Sequence, residues 1–264
     1  MKFGSRRAFQ RLLLLAPPAL TEDANFGSCQ IIDKSQYNFL LSEAQRLRAR
    51  VYLQDGAIDP GEILRDGRLI HTHDEDSWQL LVINWDGEVA GCARYIPHKE
   101  EVSFSELAIA KSALASSHPW GQRLRRAVEA ERAKARRRGI KFAEVGGWAL
   151  AEELRYSMAA LEIFVNICAL ARLFGGAVAV TTATFRHHSS SILRRLGGHG
   201  LVTKDGIELP SYYDPKYKCE MEVLRFDTES PNPRYLDRIK NCQQKLETVP
   251  AICATLTTIY ATSF

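Results

Sequence analysis

A glutamate at position 144 stands inside the strand-like run Ala143-Glu144-Val145-Gly146-Gly147-Trp148-Ala149-Leu150. A carboxylate on so apolar a segment is costly to bury unless it is hydrogen-bonded, ion-paired or used as a base. The glycine pair that follows admits two accounts. It is a plain β-bulge, or it opens the strand so that backbone groups face an extended ligand. Arg155 comes next, where the sequence predicts a helix to start at Tyr156. A helix N-terminus with an arginine beside it suits a phosphate. Glu152 and Glu153 in the same loop oppose that reading, and a solvated arginine is the plainer one.

Other charged groups carry weaker signals. His71, His73, Asp74 and Asp76 have ligand-type side chains but no HExxH-type frame, so no metal site is expected. The basic run on 123–141, from Arg123 and Arg125 through Arg136 to Lys141, reads first as a solvated helix face paired in part by Glu129 and Glu131. It would also suit an acidic carrier protein, and RNA less well. His187 and His188 are adjacent, project in different directions and read as capping or surface groups.

These residues need elements to hold them. Residues 36–53 have apolar positions at helical spacing and predict an amphipathic helix. A long Gly-, Asp- and His-rich loop follows, of the kind that is functional or mobile. Residues 78–85 and 88–96 are β-rich runs around Asp86-Gly87, the strongest short-range hairpin signal. A helix over 120–139, a strand over 141–150, a mostly apolar helix over 156–174 and a buried strand over 177–184 come next. A short helix, a strand over 217–226 and a helical segment over 231–247 complete the order. The tail from Thr248 has only weak preferences. Strands and helices alternating in this way predict a mixed α/β domain.

The totals agree with a globular domain: 264 residues, 45% hydrophobic and 25% charged, with a net charge of +4. So mild a positive charge suits an anionic ligand but does not by itself imply nucleic acid. The six cysteines lack CxxC spacing and read as reduced thiols of a cytoplasmic protein. No stretch has the length and apolarity of a transmembrane helix. Basic residues before Leu12–Ala16 imitate a signal peptide, but that apolar run is short and stops at Pro17-Pro18. Residues 1–32 are therefore expected to form a flexible or loosely docked arm, 33–229 the main domain and 230–264 a helical extension.

Several stretches together resemble a known family: 48–53 (RARVYL), 73–98, Ala143–Leu150 and 189–198 (SSSILRRLGG). Their order and spacing are similar to the GNAT-fold acyl-homoserine lactone synthases of the LuxI type, and more so to N-acyl amino acid synthases of the FeeM type. The resemblance spans about 45–226. It implies an α/β GNAT-like fold: a mixed central sheet with flanking helices and a splayed strand. It also implies transfer of an acyl chain, expected to be a long one, from acyl carrier protein or acyl-CoA as co-substrate onto the amine of an amino acid or similar small molecule. No bound cofactor is implied.

By the same resemblance Glu144 is the catalytic strand acid, acting through water. Gly147, Trp148, Ala149 and Leu150 hold pantetheine, and Leu154, Arg155, Tyr156 and Ser157 its phosphate. Arg50, Asp74, Asp76 and Arg94 shape the acceptor side. The lactone synthases carry Ser-Arg where this chain has Gly146-Gly147-Trp148, which favours an amino acid over homoserine lactone chemistry. Two other readings stand beside this one: a short-chain acetyltransferase using acetyl-CoA, and a non-catalytic GNAT-like module that binds an acidic partner.

Overall fold

The computed structural model describes residues 11–17, 30–155 and 157–254. Asp86-Gly87 turns the chain between β3 (Trp78–Ile83) and β4 (Val89–His98), with Gly87 at φ 85°. β4 runs antiparallel to β5 (Lys141–Leu150). The apolar helix α4 (Ala159–Leu173) then carries the chain to β6 (Ala177–Thr184), which lies parallel to β5. Such a crossover is what a parallel pair requires. β9 (Cys219–Asp227) returns antiparallel to β6, and β7 (His199–Gly200) and β8 (Tyr212–Asp214) pair with it.

Both faces of this sheet are covered, so its inner strands are apolar throughout rather than alternating. Leu80 and Val82 of β3 face the core built on α4, while Leu81 and Ile83 face α1 (Lys34–Gln54). α3 (Trp120–Arg138) covers Phe142, Val178 and Val180 on the α1 side, next to the single turn α2 (Ala113–Ser116). α5 (Ser189–Arg195) and α6 (Leu236–Leu246) add to the α4 side.

The ends of the chain depart from expectation. Arg11–Leu15, inside the expected arm, is an inner strand β1, antiparallel to β3 on one side and parallel to β10 (Ala251–Cys253) on the other. β2 (Gln30–Ile32) pairs with β10 at the sheet edge. The full order is β2-β10-β1-β3-β4-β5-β6-β9-β7, with β8 beside β9. Leu12–Leu15 imitates a leader because a strand buried on both faces is also a continuous apolar run. Leu14 and Leu15 are fully buried. The boundaries expected at 32/33 and 229/230 therefore do not separate units, since both termini supply strands to one sheet. Residues 1–10, 18–29 and 255–264 lie outside the described residues.

A second difference lies near the expected phosphate site. α4 starts at Ala159, not at Tyr156. Glu152–Leu154 form a 3-10 turn instead, and Arg155 closes it with its N–H on the carbonyl of Glu152. Arg155 therefore stands ahead of the helix rather than in its first turn.

Candidate active site

β5 and β6 are paired only from Lys141↔Ala177 to Glu144↔Val180; beyond that rung they part. On its other side β5 keeps β4, but the register shifts between Cys92 and Arg94. Gly147 takes φ 62° at the shift, a backbone that favours glycine. The glycine pair is thus both things the sequence allowed, a bulge and an opened strand.

The fork between the strands leads into a cavity of about 320 Å³. Gly146–Leu150 and Thr181–Thr184 line its sides, α4 adds Ala160, Ile163 and Phe164, and α1 adds Val51 and Tyr52. Half-buried Arg155 and Arg186 and exposed Ser157 mark its open end. Of the expected donor residues, Gly147, Trp148, Ala149, Leu150, Arg155 and Ser157 all line this cavity. Leu154 does not; it is 2% exposed and packs in the α4 core. Tyr156 lies outside the described residues.

Arg155 is not idle in this arrangement. Its Nη2 lies 3.3 Å from Oδ1 of Asp55, the residue that caps the end of α1. Arg186 on the other prong donates to the backbone oxygens of Asp55 and Lys218. Both prongs are thereby tied to the end of one helix.

Beside the cavity, on the α1 side, lies a buried charged cluster. Asp74 (1% exposed) accepts from Arg48 Nη2 at 2.5 Å through Oδ2 and from Arg94 Nη1 at 2.9 Å through Oδ1. Gln45 Nε2 and the backbone N–H of His71 also donate to Oδ2, at 3.1 and 3.0 Å. Arg94 Nη2 reaches Nδ1 of His71 at 3.0 Å. Burial alone would raise the Asp74 carboxyl, but the two guanidiniums and these hydrogen bonds hold it below its usual range. Burial together with Arg94 and Arg48 pushes His71 down to about 3, so its ring is neutral near pH 7.

The two arginines differ. Burial lowers both, but the Asp74 charge outweighs it at Arg48, whereas at Arg94 burial and the neighbouring Arg48 prevail. Both remain cations. Two guanidiniums thus share one carboxylate, and Arg48 Nε, Arg48 Nη1 and Arg94 Nε have no hydrogen-bond partner among the described residues. Gly147 forms the wall here. A Cβ on it would sit 2.5 Å from Arg94 Nε and 3.2 Å from Arg48 Nη1.

Arg94 and Asp74 are therefore brought together, while Arg50 and Asp76 stand apart from them. Arg50 is exposed, because two residues along a helix from Arg48 points to the far side. Arg48, fully buried, takes the place expected of it. A periodicity signal existed: Leu41, Ala44, Arg48 and Val51 form one helical stripe, and an arginine in an apolar stripe marks a buried cation. Asp76 faces solvent, and its turn is held from the inside by Ser77 and Gln79 on the carbonyls of His73 and Asp74. His73 points elsewhere, to the carbonyl of Glu106.

Glu144 also stands apart. It is 4% exposed but does not line the cavity. It lies on the same face of β5 as Phe142, toward α3, while Val145 turns to the cavity. Its Oε1 accepts from the N–H of Ile109 at 2.8 Å, and its Oε2 from the N–H of Ala108 and from His98 Nε2, each at 2.9 Å. These bonds cap the 3-10 turn Ala108–Lys111, whose first N–H groups need acceptors.

No protein-family model and no curated protein matches the chain. Solved structures do. The CoA-dependent acyl-homoserine lactone synthase BjaI, with SAM and isopentyl-CoA, aligns over 84% of this chain and 88% of its own at 14% identity, with a TM-score of 0.53. TofI, in a ternary complex with an inhibitor and MTA, aligns over 86% and 97% at 14% identity and 0.54. FeeM, an N-acyl amino acid synthase from uncultured soil microbes, covers 83% and 92% at 14% identity and 0.47. On the strength of the first two and of its own forked sheet, this chain has the GNAT-like acyl-CoA N-acyltransferase fold.

Proposed function

We propose that this protein is an N-acyltransferase that moves an acyl chain from acyl carrier protein or acyl-CoA onto the amine of a small acceptor bearing a carboxylate, such as an amino acid. One observation carries the acceptor. Two buried guanidiniums share a single carboxylate and keep unpartnered N–H groups at Gly147, against the cavity wall. A buried cation without compensation is expensive, and an incoming carboxylate would supply both the charge and the acceptors.

The donor lies along the cavity, its pantetheine against Gly147–Leu150 and its phosphate near Arg155 and Ser157. Exposed Arg125, Arg126 and Arg137 on α3 offer an acidic carrier protein a docking face. In the reaction the amine nitrogen attacks the thioester carbonyl. The C–N bond forms, the C–S bond breaks, and the amine proton ends on the departing sulfur. Among the described residues, Asp55 is the one carboxylate lining the cavity and is held by Arg155, so no carboxylate is assigned as base. Backbone N–H groups at the opened part of β5 stand where the carbonyl oxygen gains charge.

The test incubates the protein with mixed acyl-carrier-protein and acyl-CoA donors and pooled amino acids, with mass spectrometry for N-acyl products. N-acyl amino acids are expected from the free acids and not from the matching amino-acid amides. Gly147→Ala should raise the acceptor KM more than it lowers kcat, because the new Cβ crowds Arg94 and Arg48. Equal use of acids and amides would remove the carboxylate assignment. Consumption of acetyl-CoA alone would make this a short-chain acetyltransferase, and no turnover of any donor would make it a binding module.

A further inference from the structure

Beside the main cavity lies a second, far smaller void of about 10 Å³. The two have Val145 and Phe164 in common. Three separate elements show that the void continues the cavity inward. Along α4, Ala160, Ile163 and Phe164 line the cavity, and Ile167, Cys168 and Ala171 line the void. Along β6 the sequence runs from Thr184 back to Thr181 in the cavity, then Ala179 in the void. On β4, Ala93 belongs to the cavity and Tyr95 to the void.

The order is the same on each element, so one line runs from the open end at Arg155 and Arg186 into the core between the sheet and α4. Phe164 lies across that line. It is 3% exposed and braced by Phe226, with ring centroids 4.6 Å apart. Behind it Ala171 and Ala179 are small, and Cys168 is a buried thiol whose pKa burial pushes up to about 12. It is therefore a neutral apolar wall at ordinary pH.

We infer that Val145 and Phe164 form the floor of the acyl-binding cavity and set the longest chain the enzyme accepts. This rests on the acyl-transfer reading above and adds to it the residues that decide chain length. A chain that fits ends against the Phe164 ring. A longer one must displace a braced ring from a close-packed core, which is unfavourable. Removing the ring joins the two spaces, and a larger side chain at 145 shortens the line.

The experiment presents wild type, Phe164→Ala, Phe164→Leu and Val145→Phe with an equimolar series of straight-chain donors from butyryl to stearoyl, and reads the distribution of N-acyl products. Burial of each further CH₂ contributes about 0.8 kcal/mol, so each added two-carbon step that becomes accessible should gain on the order of tenfold in product ratio. Phe164→Ala should move the distribution to longer chains and Val145→Phe to shorter ones. Phe164→Leu, the milder change, covers the case in which the alanine variant fails to fold. A uniform fall in rate with an unmoved distribution would mean that both residues serve packing alone, and would overturn the inference while acyl transfer stands. If wild type turns over no donor, the acyl-transfer reading itself falls and this inference falls with it. The two failures are thus separable.

Discussion

Asp74 does more at the residue scale than any other side chain near the cavity. It holds Arg48 from α1 and Arg94 from β4 through different oxygens, and so fixes the helix against the sheet. His71 is the titratable partner of this cluster. Its pKa in the folded chain is about 3, against an ordinary value of 6.5. Between these values the unfolded chain binds a proton that the folded chain refuses, so stability falls as the pH drops through that window. The slope approaches about 1.4 kcal/mol per pH unit. Asp74, held below its usual range, adds a further loss at the acid end. His71→Gln keeps an acceptor for Arg94 without titrating. Urea unfolding between about pH 4 and pH 7 should show a shallower acid loss in that variant than in wild type. Parallel curves would mean that His71 is not held neutral.

The fork is the decisive device at the scale of elements. Its lower end is fixed by the Glu144↔Val180 rung and its upper prongs by Asp55. Glu144 works on this scale, as a cap that locks the 3-10 turn Ala108–Lys111 onto the last paired rung of β5. Glu144→Gln leaves an amide that can satisfy at most part of this set. A cost of about 1–3 kcal/mol is expected. Hydrogen exchange at the amides of Ala108 and Ile109 should quicken, while the acyl transfer proposed above should persist with wild-type pH dependence. Complete loss of transfer with unchanged exchange would return Glu144 to the role of base.

On the scale of the whole molecule, the sheet is closed by both ends of the chain. β10 inserts between β1 and β2, so residues near 250 bury Leu14 and Leu15 from the other terminus. Ile252 itself is 1% exposed and joins the α1 core. Truncation after Glu247 removes that strand and opens an apolar edge on β1. Loss of Ile252 alone is worth about 2–5 kcal/mol. The truncated chain should show a lower denaturant midpoint and elute in larger species on size exclusion; an unchanged midpoint would make β10 an appendage.

The sequence by itself determined the α/β order and the hairpin at Asp86-Gly87, and it offered the opened strand at Gly146-Gly147 as one of two accounts; Asp74 and Arg94 came only from the family resemblance. The features it determined are local. Periodicity, turn chemistry and glycine placement act within a few residues and survive in any tertiary setting. The partners of each charge were decided only by the tertiary structure. Arg48 rather than Arg50 meets Asp74 because helix phase against the sheet selects one side, and 26 positions separate the two residues. Glu144 turns to a loop from 35 positions away rather than to the cavity, since alternate residues of a strand face opposite sides. Leu12–Leu15 became an inner strand because segments near residues 82 and 251 flank it. No local pattern can announce a pairing that exists only once distant segments have met.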